Sequence, residues 1–177
     1  MEHKSGFVNI IGNPNVGKST LLNSMIGQDI SIITNKAQTT RHRIKGILSD
    51  KNYQIVFSDT PGIIKPAYKL QENMMQYVKS AFQDADVILY VVEIGEQGLK
   101  DEEIFEKIKK LKIPLIILLN KIDLVSQDKV LLEIENWKRK FSKAIVLPIS
   151  ALNKFNINEI IDAIVEVLPI SPPYYSK

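Results

Sequence analysis

The feature that most constrains the fold is a glycine-rich segment at Gly12–Ser19, which reads G-x-x-x-x-G-K-S. It follows a largely apolar run at Phe7–Ile11 that is typical of a buried strand, and it precedes apolar residues at helical spacing within Leu21–Ile26. Glycines let the backbone wrap so that successive N–H groups converge on phosphate oxygens, and the following helix adds the positive end of its dipole. This strand–loop–helix unit predicts a nucleoside triphosphate site without indicating the base.

The rest of the chain alternates apolar runs with amphipathic stretches. Strands are predicted at 7–11, 43–49, 53–58, 87–92, 115–119 and 145–149. Helices are predicted after the glycine-rich turn as far as Gly27, after Pro66 to about Phe82, and at about 101–111, 127–141 and 156–168. This order predicts an α/β domain with a six-stranded, mostly parallel sheet, one antiparallel edge strand and helices on both faces. Residues 28–42 show no clear period and are expected to form a surface loop. The domain is predicted to span 1–168, with the proline-rich segment 169–177 as a linker leaving it.

Composition excludes several classes of protein and site. The absence of cysteine removes disulfides, thiolate metal sites and thiol catalysis, and two histidines are too few for a multi-histidine metal centre. Apolar stretches such as Ile113–Leu119 fall well short of the ~20 residues that a membrane span needs. The N-terminus lacks the apolar run of a signal peptide, so a cytoplasmic protein is expected.

The glycine-rich loop supplies the predicted phosphate and metal contacts. Lys18 is expected to neutralise the β- and γ-phosphates, and the Ser19 hydroxyl is expected to bind Mg²⁺. The residues predicted to contact the nucleotide here are Gly12, Asn13, Pro14, Asn15, Val16, Gly17, Lys18, Ser19 and Thr20.

The base is indicated by Asn120-Lys121-Ile122-Asp123, directly after a predicted strand. The Asp123 carboxylate can accept from both N1–H and the N2 amine of guanine, whereas adenine has neither donor there. Lys121 can lay its stem along the purine, and Asn120 can tie this loop to the phosphate loop. Such a sequence alone also suits a solvated turn, but its position at the carboxyl end of a parallel strand favours guanine. Ser150 and Ala151, at the end of the last strand, fit a backbone contact to the guanine oxygen.

Two further segments are predicted to sense the γ-phosphate. Asp59 is expected to hold Mg²⁺ through water, and the Gly62 N–H to meet the γ-phosphate, so that loss of this phosphate releases the segment. Thr40, or alternatively Thr39, offers a second hydroxyl to Mg²⁺. The residues of the first segment expected to border the nucleotide are Asp59, Thr60, Pro61, Gly62 and Ile63.

Together these five segments resemble the translation-factor-like GTPases with a Ras-type core. Within that group, Gln38–Arg43 followed by Ile44–Ile47, and the tail Leu168–Tyr175, resemble the Era family of bacterial GTPases. The resemblance implies a GTP/GDP switch that hydrolyses GTP slowly in small ribosomal subunit assembly. In that family a C-terminal KH domain binds the 3′ end of small-subunit ribosomal RNA. This chain ends where that domain would begin, so we expect an isolated G domain.

The resemblance also implies partners for the full-length protein. They are a guanine nucleotide, small-subunit ribosomal RNA and the 30S subunit, with a peripheral membrane contact left open and no integral membrane segment. The basic residues of the polar loop are expected either to be solvated or to help dock RNA, and they are Lys36, Arg41, His42, Arg43 and Lys45. The run Lys138–Lys140 is expected to be a solvated helix face.

Catalysis is expected to be slow because Ile63 stands where Ras-like switches place a glutamine that orients the attacking water. Asn15 either helps to coordinate a K⁺ ion near the β–γ bridge, as in similar GTPases, or merely tolerates a tight turn. The residues assigned catalytic roles are Lys18, Thr40, Gly62 and Asn15.

Three other functions remain open at this point. One is the G domain of a related tRNA-modification or tandem-domain ribosome-assembly GTPase. Another is a non-catalytic nucleotide-binding scaffold, against which the set Lys18, Ser19 and Asp59 argues. The third is a nucleotide kinase, for which no second substrate pocket or lid is evident.

Overall fold

The structure is a computed structural model that describes residues 1–26, 30–31, 44–59 and 67–176. The side chain of Asp59 lies outside this description. Of the helices in these ranges, none is long and apolar enough to cross a membrane.

Within the described residues, seven strands form one sheet, in the order β2-β3-β4-β1-β5-β6-β7. Their bounds are β1 Lys4–Ile11, β2 Ile30–Ser31, β3 Ile44–Ser49, β4 Tyr53–Asp59, β5 Val87–Glu93, β6 Leu115–Asn120 and β7 Ile145–Pro148. The pairs β4–β1, β1–β5, β5–β6 and β6–β7 are parallel, and β3 runs antiparallel to both of its neighbours. The mostly parallel sheet with one antiparallel strand is therefore confirmed.

One strand was not predicted. Ile30–Ser31 pair with Ile47–Leu48 and so extend the sheet beyond β3. The sequence places these two residues in a surface loop because a two-residue strand has no detectable period of its own. The strand β2 forms because the edge of β3 would otherwise be unpaired, and its backbone N–H and C=O groups can pair with any nearby extended segment.

In the part of the chain that the structure describes, five helices flank the sheet, namely α1 Lys18–Ile26, α2 Lys69–Ala81, α3 Glu102–Lys109, α4 Gln127–Lys140 and α5 Ile157–Val167. Two of them begin with a side-chain cap that satisfies an N-terminal amide. The Asp101 carboxylate accepts from Ile104 N at 3.1 Å, and the Ser126 hydroxyl accepts from Lys129 N at 3.3 Å.

The sheet separates two apolar layers because strand side chains alternate between its faces. Leu89 and Val91 of β5 pack on the layer that holds α1 and α5, whereas Ile88, Tyr90 and Val92 pack on the opposite layer. In the second layer the Trp137 ring meets the Tyr90 ring edge-on, with centroids 5.5 Å apart. With both faces covered, chemistry is left to the sheet ends, where the parallel strands meet loops.

The segment after α5 folds back along the sheet. Ser5 N donates to Pro169 O at 3.2 Å, and Ser171 N donates to His3 O at 3.0 Å. Tyr174 packs its ring on Phe7, with centroids 4.8 Å apart. Residues 169–175 thus lie against the strands β1 and β4.

Candidate nucleotide-binding site

The loop between β1 and α1 winds tightly at the carboxyl ends of the parallel strands. Asn15 and Gly17 both have positive φ, at 64° and 103°. A Cβ at Gly12 would lie 2.5 Å from the Val91 carbonyl oxygen, and one at Gly17 would collide with the Asn120 side-chain amide. Both glycines are therefore required by close packing, and Gly17 also by its backbone conformation.

The N-terminus of α1 points at this loop. Its first intrahelical hydrogen bond runs from Leu21 N to Gly17 O at 2.9 Å. Lys18 Nζ donates to the carbonyls of Gly12 and Asn13 at 3.2 and 3.1 Å, so its ammonium lies over the loop. A cation and the positive end of a helix dipole thus converge, which favours an anion.

Asn120 joins three segments at the end of β6. Its Nδ2 donates to Val16 O at 2.8 Å, and its Oδ1 accepts from Ala151 N at 3.0 Å. Only 2% of the residue is exposed. This amide connects the phosphate loop to the loop after β7, and the tie that the sequence predicts between Asn120 and the phosphate loop is present.

A cavity of about 190 Å³ opens beside Asn120. Asp123 lines it, and one Asp123 carboxylate oxygen accepts from the Ser150 hydroxyl at 2.9 Å. Leu124 and Leu152 lie on its walls and are 65% and 76% exposed. The cavity therefore combines apolar walls with an anchored carboxylate, as a site that selects among planar bases requires.

Lys121 connects the same loop to the phosphate loop a second time. It has a positive φ of 67°, and its Nζ donates to Asn15 O and Glu93 Oε1, each at 3.0 Å. This amine occupies one of the two acceptor positions of the Asn15 main-chain oxygen.

The model of the 50S ribosome-binding GTPase family matches residues 7–121, which include the phosphate loop and Asn120. This chain belongs to that family.

Relatives within it are GTPases named Era. GTPase Era of Staphylococcus haemolyticus is 46% identical over 175 residues, which is 98% of this chain and 58% of that protein. The same figures hold for GTPase Era of Staphylococcus epidermidis. The chain thus spans somewhat more than half the length of these curated relatives, and the resemblance to the Era family is confirmed.

Solved structures agree. Aquifex aeolicus Era bound to GDP·AlF4⁻ matches with a TM-score of 0.82 and 40% identity, over 98% of this chain and 60% of that one. An Era complex with MgGDPNP and nucleotides 1506–1542 of 16S ribosomal RNA matches with the same values. The FeoB G-domain of Methanococcus jannaschii, at 24% identity and a TM-score of 0.65, covers 93% of this chain and supports the fold alone.

Not every residue predicted for the family's site falls in the described ranges. Asp59 ends β4 in register with Ile10 of β1, two residues before Gly12, so its backbone lies beside the start of the phosphate loop. The predicted residues outside the described ranges are Thr39, Thr40, Thr60, Pro61, Gly62 and Ile63, together with the basic residues Lys36, Arg41, His42 and Arg43.

The sequence did not anticipate the anchor that the Asn13 side chain provides for the phosphate loop. The Asn13 side chain is buried, and it donates to Gly98 O at 3.0 Å while accepting from Lys100 N at 2.9 Å. Its amide therefore braces the loop against the segment before α3, and only its backbone is left for a phosphate. No local signal indicates this role, because the partners lie more than eighty residues away.

Ser24 makes a similar unpredicted connection on the other side of the site. Its hydroxyl lies 2.5 Å from Ala151 O and 2.9 Å from Thr20 O. It therefore connects α1 to the loop that Asn120 also holds. The loop after β7 is thus fixed to α1 through Ser24 and to the phosphate loop through Asn120.

Within the described ranges, no group of three His, Asp or Glu residues is placed so that it could hold a metal ion. The predicted magnesium ligands are a different set, with two hydroxyls from Ser19 and Thr40 and one carboxylate from Asp59. Hydroxyl and carboxylate oxygens suit Mg²⁺, which keeps several waters and takes few protein ligands.

Proposed function

We propose that this chain binds GTP and GDP with Mg²⁺, hydrolyses GTP slowly, and acts as a switch in assembly of the small ribosomal subunit. The observation that carries the proposal is the Asn120 amide, which connects the phosphate loop to the loop beside the Asp123 cavity. A phosphate site and a base site are thereby held at a fixed separation, as a nucleotide requires. Family membership and the matches to Era support the same function.

Guanine selection is assigned to Asp123. With one carboxylate oxygen anchored by Ser150, the group is oriented before the base arrives. Asp123→Asn should weaken GTP binding by about 2–3 kcal/mol, the value of a charge-assisted pair, while xanthine nucleotide gains. Equilibrium titration with GTP and XTP measures both.

The matched control is Asp84→Asn, an exposed aspartate in the turn before β5. It removes the same charge far from the cavity and should leave both affinities unchanged. Unchanged GTP affinity in Asp123→Asn would contradict the guanine assignment.

Magnesium would be held by Ser19, by Asp59 through water and by Thr40 or Thr39. The ion would neutralise charge on the phosphate oxygens during transfer of the γ-phosphoryl group. Lys18 contributes the second positive charge from the phosphate loop. The Era relative bound to MgGDPNP supports this cofactor.

Hydrolysis is proposed to depend on positioning by Lys18, Thr40 and Gly62, with Ile63 unable to orient water. A turnover assay separates this function from that of a non-catalytic scaffold, for which no GDP would accumulate.

We further propose that the Asn15 side-chain oxygen coordinates K⁺. Turnover in K⁺ should then exceed turnover in Na⁺ by at least about tenfold, a small part of the ~10³–10⁵ that an arginine finger supplies. Asn15→Gly should abolish the difference, and glycine adopts the observed φ of 64° without steric strain. Asn158→Ala, on the exposed surface of α5, is the control. Equal rates of the wild type in both salts would rule out the ion.

The proposed partners are small-subunit ribosomal RNA and the 30S subunit, for which the Era complex with 16S ribosomal RNA is the support. We expect this chain to bind RNA weakly, with steep salt dependence and little sequence preference, because base reading needs a dedicated surface. A domain at 1–168 followed by a linker, a cytoplasmic location and a peripheral membrane contact stay predictions.

A further inference from the structure

Two lysine-rich segments that are distant in sequence lie side by side at the amino ends of β6 and β7. Residues 109–112 begin at the last residue of α3, and residues 140–143 begin at the last residue of α4. Because Ile116 is in register with Ile145, the segments entering these two strands are neighbours. They enclose a groove of about 620 Å³, here called the lysine groove, whose basic residues are Lys109, Lys110, Lys112, Lys140 and Lys143.

The charge of this groove is one-sided. Among the described residues, its lining contains five lysines and no acidic residue. Lys109 pairs with Glu106 at 3.1 Å, but the described residues give Lys110, Lys112 and Lys143 no ion pair. An exposed aspartate, Asp84, belongs to the turn that enters β5 at the same edge.

Lys140 shows that the two segments act on each other electrostatically. Its Nζ donates to Gln97 O at 2.8 Å and lies 4.7 Å from the Trp137 ring centroid, so it is more enclosed than the solvated face expected from sequence. Burial lowers the pKa of Lys140, the Glu133 carboxylate opposes that effect, and the Lys109 cation lowers it further. The fold therefore concentrates positive charge at this edge.

Helix dipoles explain only part of this concentration. Lys109 and Lys140 lie in the last turns of α3 and α4, where a cation compensates the negative helix end by about 0.3–1 kcal/mol. Lys112 and Lys143 lie three residues beyond those ends, and the dipole effect falls off within the last turn. Within the described residues, neither a helix dipole nor an ion pair compensates their charges.

We propose that the lysine groove docks the phosphodiester backbone of RNA. Lysine ammonium groups bind phosphates as point charges, and apolar residues such as Leu111 and Pro114 offer surface to riboses or bases. The groove presents no arginine, asparagine or glutamine that could read base edges in a bidentate manner. Contact with the backbone, independent of sequence, is the mode that fits these residues.

The inference rests on the RNA part of the proposed function, not on the nucleotide switch. The groove lies at the amino end of β6, and the Asn120 site lies at its carboxyl end, about 20 Å away for a strand of this length. RNA docking and nucleotide binding can therefore be changed separately.

The test compares two double variants of this chain. Lys112→Gln with Lys143→Gln neutralises both sides of the groove, and Lys51→Gln with Lys69→Gln removes the same charge from exposed positions elsewhere. The probe is a single-stranded RNA of about 20 nucleotides and mixed sequence, titrated by fluorescence anisotropy over a series of KCl concentrations. GTP titration and circular dichroism show whether each variant keeps the nucleotide site and the fold.

The groove variant should bind the RNA about tenfold more weakly than the wild type at 0.1 M KCl. The slope of log K against log [KCl] should be shallower by about 1.4, the value expected for the loss of two phosphate contacts on a single strand. The control should stay within twofold of the wild type, Lys112→Arg with Lys143→Arg should restore binding, and GTP affinity should not change. Equal loss in both double variants would overturn the proposal in favour of net charge. Unchanged RNA affinity in the groove variant would overturn the assignment to the lysine groove but would not affect the RNA part of the proposed function. If the wild type did not bind the RNA at all, both the groove assignment and the RNA part of the proposed function would be refuted.

An anionic membrane is the competing occupant, and a flotation assay with phosphatidylserine vesicles distinguishes it. If the groove variant loses vesicle binding but keeps RNA affinity, the surface serves a lipid and the assignment is wrong.

Discussion

Two buried side-chain amides, Asn120 and Gln54, use the same chemistry at opposite ends of the sheet. Asn120 holds two loops at the carboxyl ends of the strands. Gln54, near the start of β4, accepts from the backbone N–H groups of Tyr174 and Tyr175 at 2.8 and 3.1 Å and donates to Tyr175 O at 3.0 Å. Each amide satisfies backbone groups that no secondary-structure partner reaches.

The difference lies in what each amide fixes. Asn120 sets the distance between two walls of a cavity, so its hydrogen bonds preorganise a site for a ligand. Gln54 fastens an extended tail to a sheet whose geometry is already set by β1 and β3. Burial of a polar side chain therefore indicates function only where the groups that it joins border a cavity.

The largest effect is expected from Asn120→Ala. It leaves the buried Ala151 N–H and Val16 carbonyl without a partner, at a cost of about 2–4 kcal/mol in the free energy of unfolding. GTP affinity should fall at least about tenfold, because the two loops lose their common tether and tenfold corresponds to only ~1.4 kcal/mol. Urea unfolding and calorimetric titration measure the two quantities, and a destabilised variant with normal GTP affinity would contradict preorganisation.

A smaller and purely structural effect is expected from Gln54→Leu. The tail can detach and hydrate its own amides, so the free energy of unfolding should fall by about 1–2 kcal/mol. GTP affinity should be that of the wild type. Hydrogen exchange at Tyr174 and Tyr175 should accelerate, and if GTP affinity fell with it, the two ends of the sheet would be coupled.

The smallest effect concerns Glu96, beside the phosphate loop. Burial raises the pKa of this carboxyl, and a hydrogen bond with Asn13 opposes the shift only in part. The pKa of Glu96 is thus higher in the folded protein than in the unfolded chain, where it is about 4.3. Protonation of Glu96 therefore stabilises the fold at pH values below about 4.3, and this stabilisation is lost as the pH rises through the pKa of the folded protein.

Glu96→Gln removes the charge at every pH. The free energy of unfolding of this variant, minus that of the wild type, should therefore be larger at pH 7 than at pH 4. Urea unfolding at both pH values measures this difference. Glu166→Gln, on the exposed surface of α5, is the matched control for loss of one charge. If the variant were less stable than the wild type at pH 7, the contacts of the ionised carboxylate would stabilise the fold by more than its burial destabilises it.

The sequence predicted those parts whose physics is local. The phosphate loop requires glycine where backbone approaches backbone, and the Asn120–Asp123 segment places its polar groups directly after an apolar strand. Each can be recognised within ten residues, and the order of strands and helices follows from periods that are equally short.

Tertiary structure decided what depends on partners far along the chain. The Asn13 brace, the two-residue strand β2, the docking of the tail on Gln54 and the lysine groove all join segments that no periodic pattern relates. Hydrogen-bonding groups and charges act over a few ångströms in space, and only the completed sheet brings these segments within that range. The sequence by itself therefore determined the chemistry at the carboxyl ends of the strands, and the fold determined what holds that chemistry in place and which charges gather at the opposite end.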